Sequence, residues 1–254
     1  MNFLNKITIL LPVLVVLSGC YERTDQTLSP PENARRVTVS VKVPDGITLL
    51  PMQMLYRSER CKTKSYNSSN EAYEIRGYNG FKQTFSTQGS NGIRQQRIAI
   101  DGGGPCQWQL NSIKVSFKIA DDNPLVKGKE VFATNYIFDF DDYGLSDGYG
   151  TGRAKEFNGN IYLRAEFFPV VTQLSDNDIS LELFGGETEY EKWRRRFRLH
   201  STQNIFIAPL AHLSKVVTLT PPKKTGNFTA TYPDGSREEI PRISPDYEKL
   251  LSMK

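Results

Sequence analysis

The chain has 254 residues, with 32 Lys and Arg against 28 Asp and Glu, a formal net charge of +4. That length allows one large or two small domains with a real core, and so slight a basic excess argues against a nucleic-acid binder. Two His and three Cys leave too few ligands for a zinc centre once two cysteines are otherwise used.

Lys6 supplies a positive start, and Ile7 to Leu17 is an apolar run interrupted only by Thr8 and Pro12. It is shorter than the roughly 20 residues that a membrane helix needs, and small residues follow it. That is the layout of a secretory signal. Leu17-Ser18-Gly19-Cys20 resembles the lipobox of bacterial lipoproteins, a Leu, two small residues and a Cys. The resemblance implies removal of residues 1–19, a lipid on the Cys20 sulfur and acylation of its new amine. One acyl chain holds only marginally to a bilayer, whereas several hold stably. Tyr21 stands where inner-membrane members of that family carry an Asp, so the expected address is the outer membrane of a Gram-negative bacterium, on its periplasmic face.

With Cys20 used by the lipid, Cys61 and Cys106 remain, and in an oxidising periplasm they are expected to form a disulfide. Closing a loop of that length would stabilise the fold by about 4 kcal/mol in the chain-entropy model.

Residues 20–36 are polar, contain Pro30-Pro31 and show no apolar periodicity, which predicts a flexible tether reaching at most about 50 Å. Residues 37–254 form a β-rich region. Val37, Val39, Val41 and Val43 alternate with polar residues, the period of a half-buried strand. Met52, Met54 and Tyr56 alternate again before Cys61. Tyr73–Tyr78 and Gly80–Thr87 predict two short strands around an Asn79-Gly80 hairpin turn. Gly102-Gly103-Gly104 before Cys106 reads as a tight turn, because no Lys-Ser/Thr of a phosphate loop follows. Trp108, Leu110, Ile113, Val115, Phe117 and Ile119 continue the strand pattern, with Trp108 expected to pack on sulfur. Asp121–Lys129 is a loop and a candidate division between domains.

Further strands are predicted over Val131–Phe140, Ile161–Val171, Ile179–Phe184, Ile205–Leu210 and Val216–Leu219. Tyr190, Trp193 and Phe197 fall at helical spacing, with Glu187, Glu189 and Glu191 before and Arg194, Arg195, Arg196 and Arg198 after, so a short internal helix is expected there. Pro233-Asp234-Gly235 predicts a hairpin, and Ser244-Pro245 a short C-terminal helix capped by the Ser. The expected fold is mainly β: a β-sandwich-like domain, or two small β-domains.

Gly144-Leu145-Ser146-Asp147-Gly148 matches the G-x-S-x-G of a hydrolase nucleophile elbow, with Asp176 or Asp178 and His200 or His212 following in order. Tyr149-Gly150-Thr151-Gly152 is a poor helix start and the chain lacks βαβ alternation, so an esterase using Ser146 ranks last. Asp139, Asp141, Asp142 and Asp147 cluster carboxylates that suit Ca2+, but without the EF-hand spacing. No cofactor or metal is expected beyond that weak calcium candidate, nor an enzyme. Trp193-Arg194-Arg195-Arg196-Phe197-Arg198 suits an anionic lipid headgroup or an acidic protein patch, since Arg contacts phosphate and carboxylate bidentately.

The layout of a lipidated periplasmic β-domain with one disulfide is similar to the immunity lipoproteins that protect bacteria from type VI secretion toxins. That resemblance implies a binding protein that neutralises a toxin, with Asp139–Asp147 and Tyr190–Arg198 as contact surfaces. The alternative is a structural or assembly lipoprotein of the envelope or a secretion apparatus.

Overall fold

In this computed structural model the described residues are 24–88, 92–141, 154–174, 178–186, 195–241 and 243–254. Their strands, in chain order, are β1 Arg36–Lys42, β2 Ile47–Leu49, β3 Met52–Tyr66, β4 Ala72–Gln83, β5 Ser86–Gln88, β6 Ile93–Ala99, β7 Asp101–Gly103 and β8 Trp108–Ile119. There follow β9 Glu130–Val131, β10 Thr134–Asp139, β11 Lys155–Asn158, β12 Ile161–Leu163, β13 Glu166–Gln173, β14 Ile179–Gly185, β15 Arg196–His200 and β16 Asn204–Ile207. β17 Leu210–Ala211, β18 Val217–Thr220, β19 Phe228–Thr231, β20 Arg237–Ile240 and the helix α1 Tyr247–Leu251 complete the chain.

Three sheets result. One runs β12-β16-β1-β6-β5, a second β11-β15-β10-β8-β3-β4 with β2 and β7 beside β8, and a third β20-β19-β18-β13-β14-β9 with β17 beside β13. The architecture is β-sandwich-like, as the alternating pattern predicts. Val37, Val39 and Val41 of β1 are buried, and so are Met52, Met54 and Tyr56 of β3, each from one side of its strand. Tyr136 centres an aromatic cluster with Phe117, Phe138, Phe167 and Phe197, rings 5.2–6.4 Å apart. The Tyr56 hydroxyl donates to the Ala99 carbonyl at 2.7 Å, and burial pushes its pKa up to about 12.

One continuous core runs from Val37 to Ile207 and draws on all three sheets. Residues on both sides of Asp121–Lys129 belong to it, so that loop, which carries a 3-10 turn at Pro124–Val126, divides no core. β13 is buried on both faces: Phe167 and Val171 join this core, while Phe168 and Val170 join a smaller one with Phe184, Val217, Leu219 and Leu250 of α1. Pro169 stands mid-strand opposite the interruption between β17 and β18, where the ladder needs no donor from it.

Four local expectations are corrected. Asn79-Gly80 is not a hairpin turn: β4 runs straight through it, because Asn79 is buried and its amide donates to the Gln26 carbonyl at 2.7 Å. Residues 24–36 do not hang free as a tether. The Trp108 indole donates to the Asp25 carbonyl at 3.2 Å, and the Ser29 amide donates to Gly102 at 3.0 Å. The glycine run makes that approach possible, since a Cβ on Gly103 or Gly104 would lie 2.2 Å from the Ser29 or Thr27 carbonyl oxygen. The expected helix over 190–198 gives way to β15 from Arg196, with 187–194 outside the described residues. The cap of α1 is Asp246, whose carboxylate accepts from the Lys249 amide, and not Ser244.

Candidate functional site

Cys61 and Cys106 are joined in a disulfide, with Cα atoms 5.3 Å apart. It ties the middle of β3 to the turn before β8, at the base of the long β3–β4 ribbon. Gly77 of β4 packs there because a Cβ would lie 1.8 Å from the Cys61 carbonyl oxygen. Beside the disulfide an open cleft of about 1030 Å³ is walled by the start of β1, the middle of β3 and β4, and the β15–β16 turn.

Five arginines line this cleft: Arg35, Arg36, Arg57, Arg60 and Arg76. Arg35 makes a bidentate pair with Asp101, at 2.7 and 3.1 Å, and that hydrogen bonding holds the Asp101 carboxyl below its usual range. Arg76 is shared between Glu59 and Asp141. The Arg57 guanidinium lies 5.8 Å from the Tyr78 ring centroid, which follows from the pairing of Arg57 with Tyr78 across β3 and β4. Tyr78 is 54% exposed, and Arg76 stands two residues away on the same face of the ribbon. Tyr66, 61% exposed, shares that face through its pairing with Ala72.

The residues expected to meet a partner are distributed differently. Asp139 is buried, and its carboxylate accepts from Arg196 Nε at 2.6 Å and Nη2 at 3.0 Å. Two residues expected on separate contact surfaces thus neutralise each other inside the sheet. Both Asp139 oxygens accept from this guanidinium. Asp141 accepts from the Asn111 amide and faces Arg76. Arg195 is half-buried and donates to the Gly185 carbonyl at 2.7 Å, and burial lowers its pKa. Arg198 pairs with Glu156 at 3.1 Å, and His200 meets the same carboxylate at 2.5 Å. Cys20, Asp142, Ser146, Asp147, Asp176, Trp193 and Arg194 lie outside the described residues.

His212, the other triad candidate, faces Glu166 Oε2 at 2.7 Å and stacks on Phe168. Glu166 also takes Lys254 at 2.6 Å, while its carbonyl accepts from the Tyr247 hydroxyl at 2.8 Å. Burial pushes the Glu166 pKa up, but Lys254 and His212 outweigh it and leave the carboxyl below its usual value. Both histidines therefore face a carboxylate near a strand end. Among the described residues no three or more His, Cys, Asp or Glu cluster as a metal site.

Sequence reading missed the arginine cleft, because its members come from positions 35 to 76 and meet only through β1, β3 and β4. The one local signal was the dense basic spacing of Arg57, Arg60, Lys62 and Lys64. Comparison with known protein families, with curated proteins and with solved structures finds no match for this chain.

Proposed function

We propose that this protein is a lipid-anchored binding protein of the bacterial envelope, not an enzyme, and that it neutralises a secreted toxin. The lipobox resemblance at Leu17–Cys20 supports the anchor and the outer-membrane address. The observation that carries the binding role is the exposed Tyr78 with the Arg57 guanidinium over its ring, Arg76 beside it and Tyr66 along the same face. Tyr and Arg are the residues that most often anchor protein interfaces. The β3–β4 ribbon thus offers a basic partner surface in addition to the one proposed at 190–198.

The test uses the full-length lipidated chain as bait in detergent-solubilised envelopes, with the proteins encoded beside it as prey. Capture of one soluble partner at one-to-one stoichiometry, with loss of that partner's toxicity, supports the proposal. Tyr78→Ala is expected to weaken the complex about 30-fold, the loss of a typical anchor residue. Recovery of a multi-protein membrane assembly instead favours a structural role in the envelope or a secretion apparatus. That second reading draws on β4, a long strand that among the described residues ends its sheet and so could take a partner strand. Ser146→Ala leaves capture unchanged under either binding reading; lost hydrolysis with it would favour the esterase.

A further inference from the structure

The cleft at the base of the ribbon has features that a protein-docking face does not require. Its volume of about 1030 Å³ matches a small-ligand site rather than the flat contact of two proteins. Arg36 and Arg60 both line it, and among the described residues neither guanidinium has a hydrogen bond or ion pair. The two acids in the lining, Glu59 and Asp141, already share Arg76, and Arg35 is paired with Asp101. Among the described residues the positive charge of Arg36 and Arg60 is therefore left uncompensated.

The walls are also held in place. Three described residues other than glycine adopt positive φ, and two of them, Gln107 at 50° and Ser201 at 54°, line this cleft. Such conformations cost folding energy and gather at functional sites. The disulfide fixes the same wall, since it joins the neighbour of Arg60 to the neighbour of Gln107. On the other wall the Thr202 hydroxyl donates to the Gly159 carbonyl at 2.6 Å.

We infer that this cleft binds a phosphate monoester carried on a small polar frame. A phosphate dianion offsets two guanidinium charges and accepts their paired N–H groups, whereas one carboxylate leaves a cation uncompensated. Gln107, Gln109 and Ser201 supply amide and hydroxyl groups for the hydroxyls of the frame. The ligand has two sources in an envelope: a soluble sugar phosphate, or the phosphorylated head of a lipid. The inference does not rest on the toxin reading, which is tested separately through Tyr78.

The experiment is a calorimetric titration of the full chain in neutral detergent micelles. The probes are glucose 1,6-bisphosphate and dihexanoyl-phosphatidate, with glucose and citrate as controls. Saturable binding of either phosphate probe with Kd below about 1 mM, weakened by salt, is expected. Arg60→Gln should weaken it about tenfold, and Arg36→Gln with Arg60→Gln further, with thermal unfolding unchanged in the single variant. Preference for the bisphosphate supports the site with a soluble ligand, and preference for the phosphatidate supports it with a lipid head. Binding of neither probe, equal binding of citrate, or binding unaltered by Arg60→Gln overturns the inference.

Discussion

The Asp139–Arg196 pair is asymmetric, and that asymmetry sets an order of effects. The Asp139 side chain is 3% exposed and the Arg196 side chain 27%. Removing Arg196 leaves a carboxylate buried without the two N–H donors now at 2.6 and 3.0 Å. Breaking a buried pair in this way costs roughly 3–5 kcal/mol. Removing Asp139 instead leaves a guanidinium that already reaches water, so the cost falls to about 1–3 kcal/mol. Arg196→Ala should therefore destabilise more than Asp139→Ala, and the double variant should cost less than the sum of the two by about 1–3 kcal/mol. For a chain of this size Arg196→Ala lowers Tm by about 6–20 °C. Urea and thermal unfolding of the four proteins, followed by circular dichroism, measure the cycle. Equal effects, the reverse order or simple additivity would refute the claim that the carboxylate is the buried partner.

Gly77→Ala should destabilise by about 1–3 kcal/mol and raise the fraction of free thiol, because the new methyl meets the Cys61 carbonyl; thiol labelling alongside urea unfolding reads both. Reduction of Cys61–Cys106, separated by 45 positions, should remove about 4 kcal/mol of stability, seen as a lower urea midpoint. Glu166 has a depressed folded pKa, so its contribution is fully present above the ordinary value of about 4.3 and is lost as pH falls through the lower folded value. Hydrogen exchange of α1 should then rise on acidification below about pH 4, and Glu166→Gln should abolish that pH dependence.

The strands of the core were legible because their burial follows a period of two. Val37–Val41 and Met52–Tyr56 have one face in the core, and the chain writes that face as alternation. Of the helix expected over 190–198, the end from Arg196 onward is strand instead. Arg196-Phe197-Arg198-Leu199-His200 carried the competing alternation, with Phe197 and Leu199 buried, and sheet pairing with β10 and β11 decided the outcome. Residues 24–36 were illegible for another reason. Most of their contacts are polar ones, from the backbone to Asn79, Trp108 and a glycine run and from Arg35 to Asp101, far along the chain, and no apolar pattern records them. The arginine cleft was hidden likewise, because each of its cations looks like an ordinary surface charge until the sheets assemble.

The stitching of the leading segment to Trp108 and Gly102 also sets a leash length. Among the described residues the first bonded carbonyl belongs to Asp25, five residues after Cys20. If Cys20 carries acyl chains, as proposed, the slack between lipid and body is at most about 18 Å. A body moored in that way would not sweep the periplasm for the proposed ligand. It would instead patrol a thin layer against the bilayer, presenting a limited range of orientations to whatever crosses that layer.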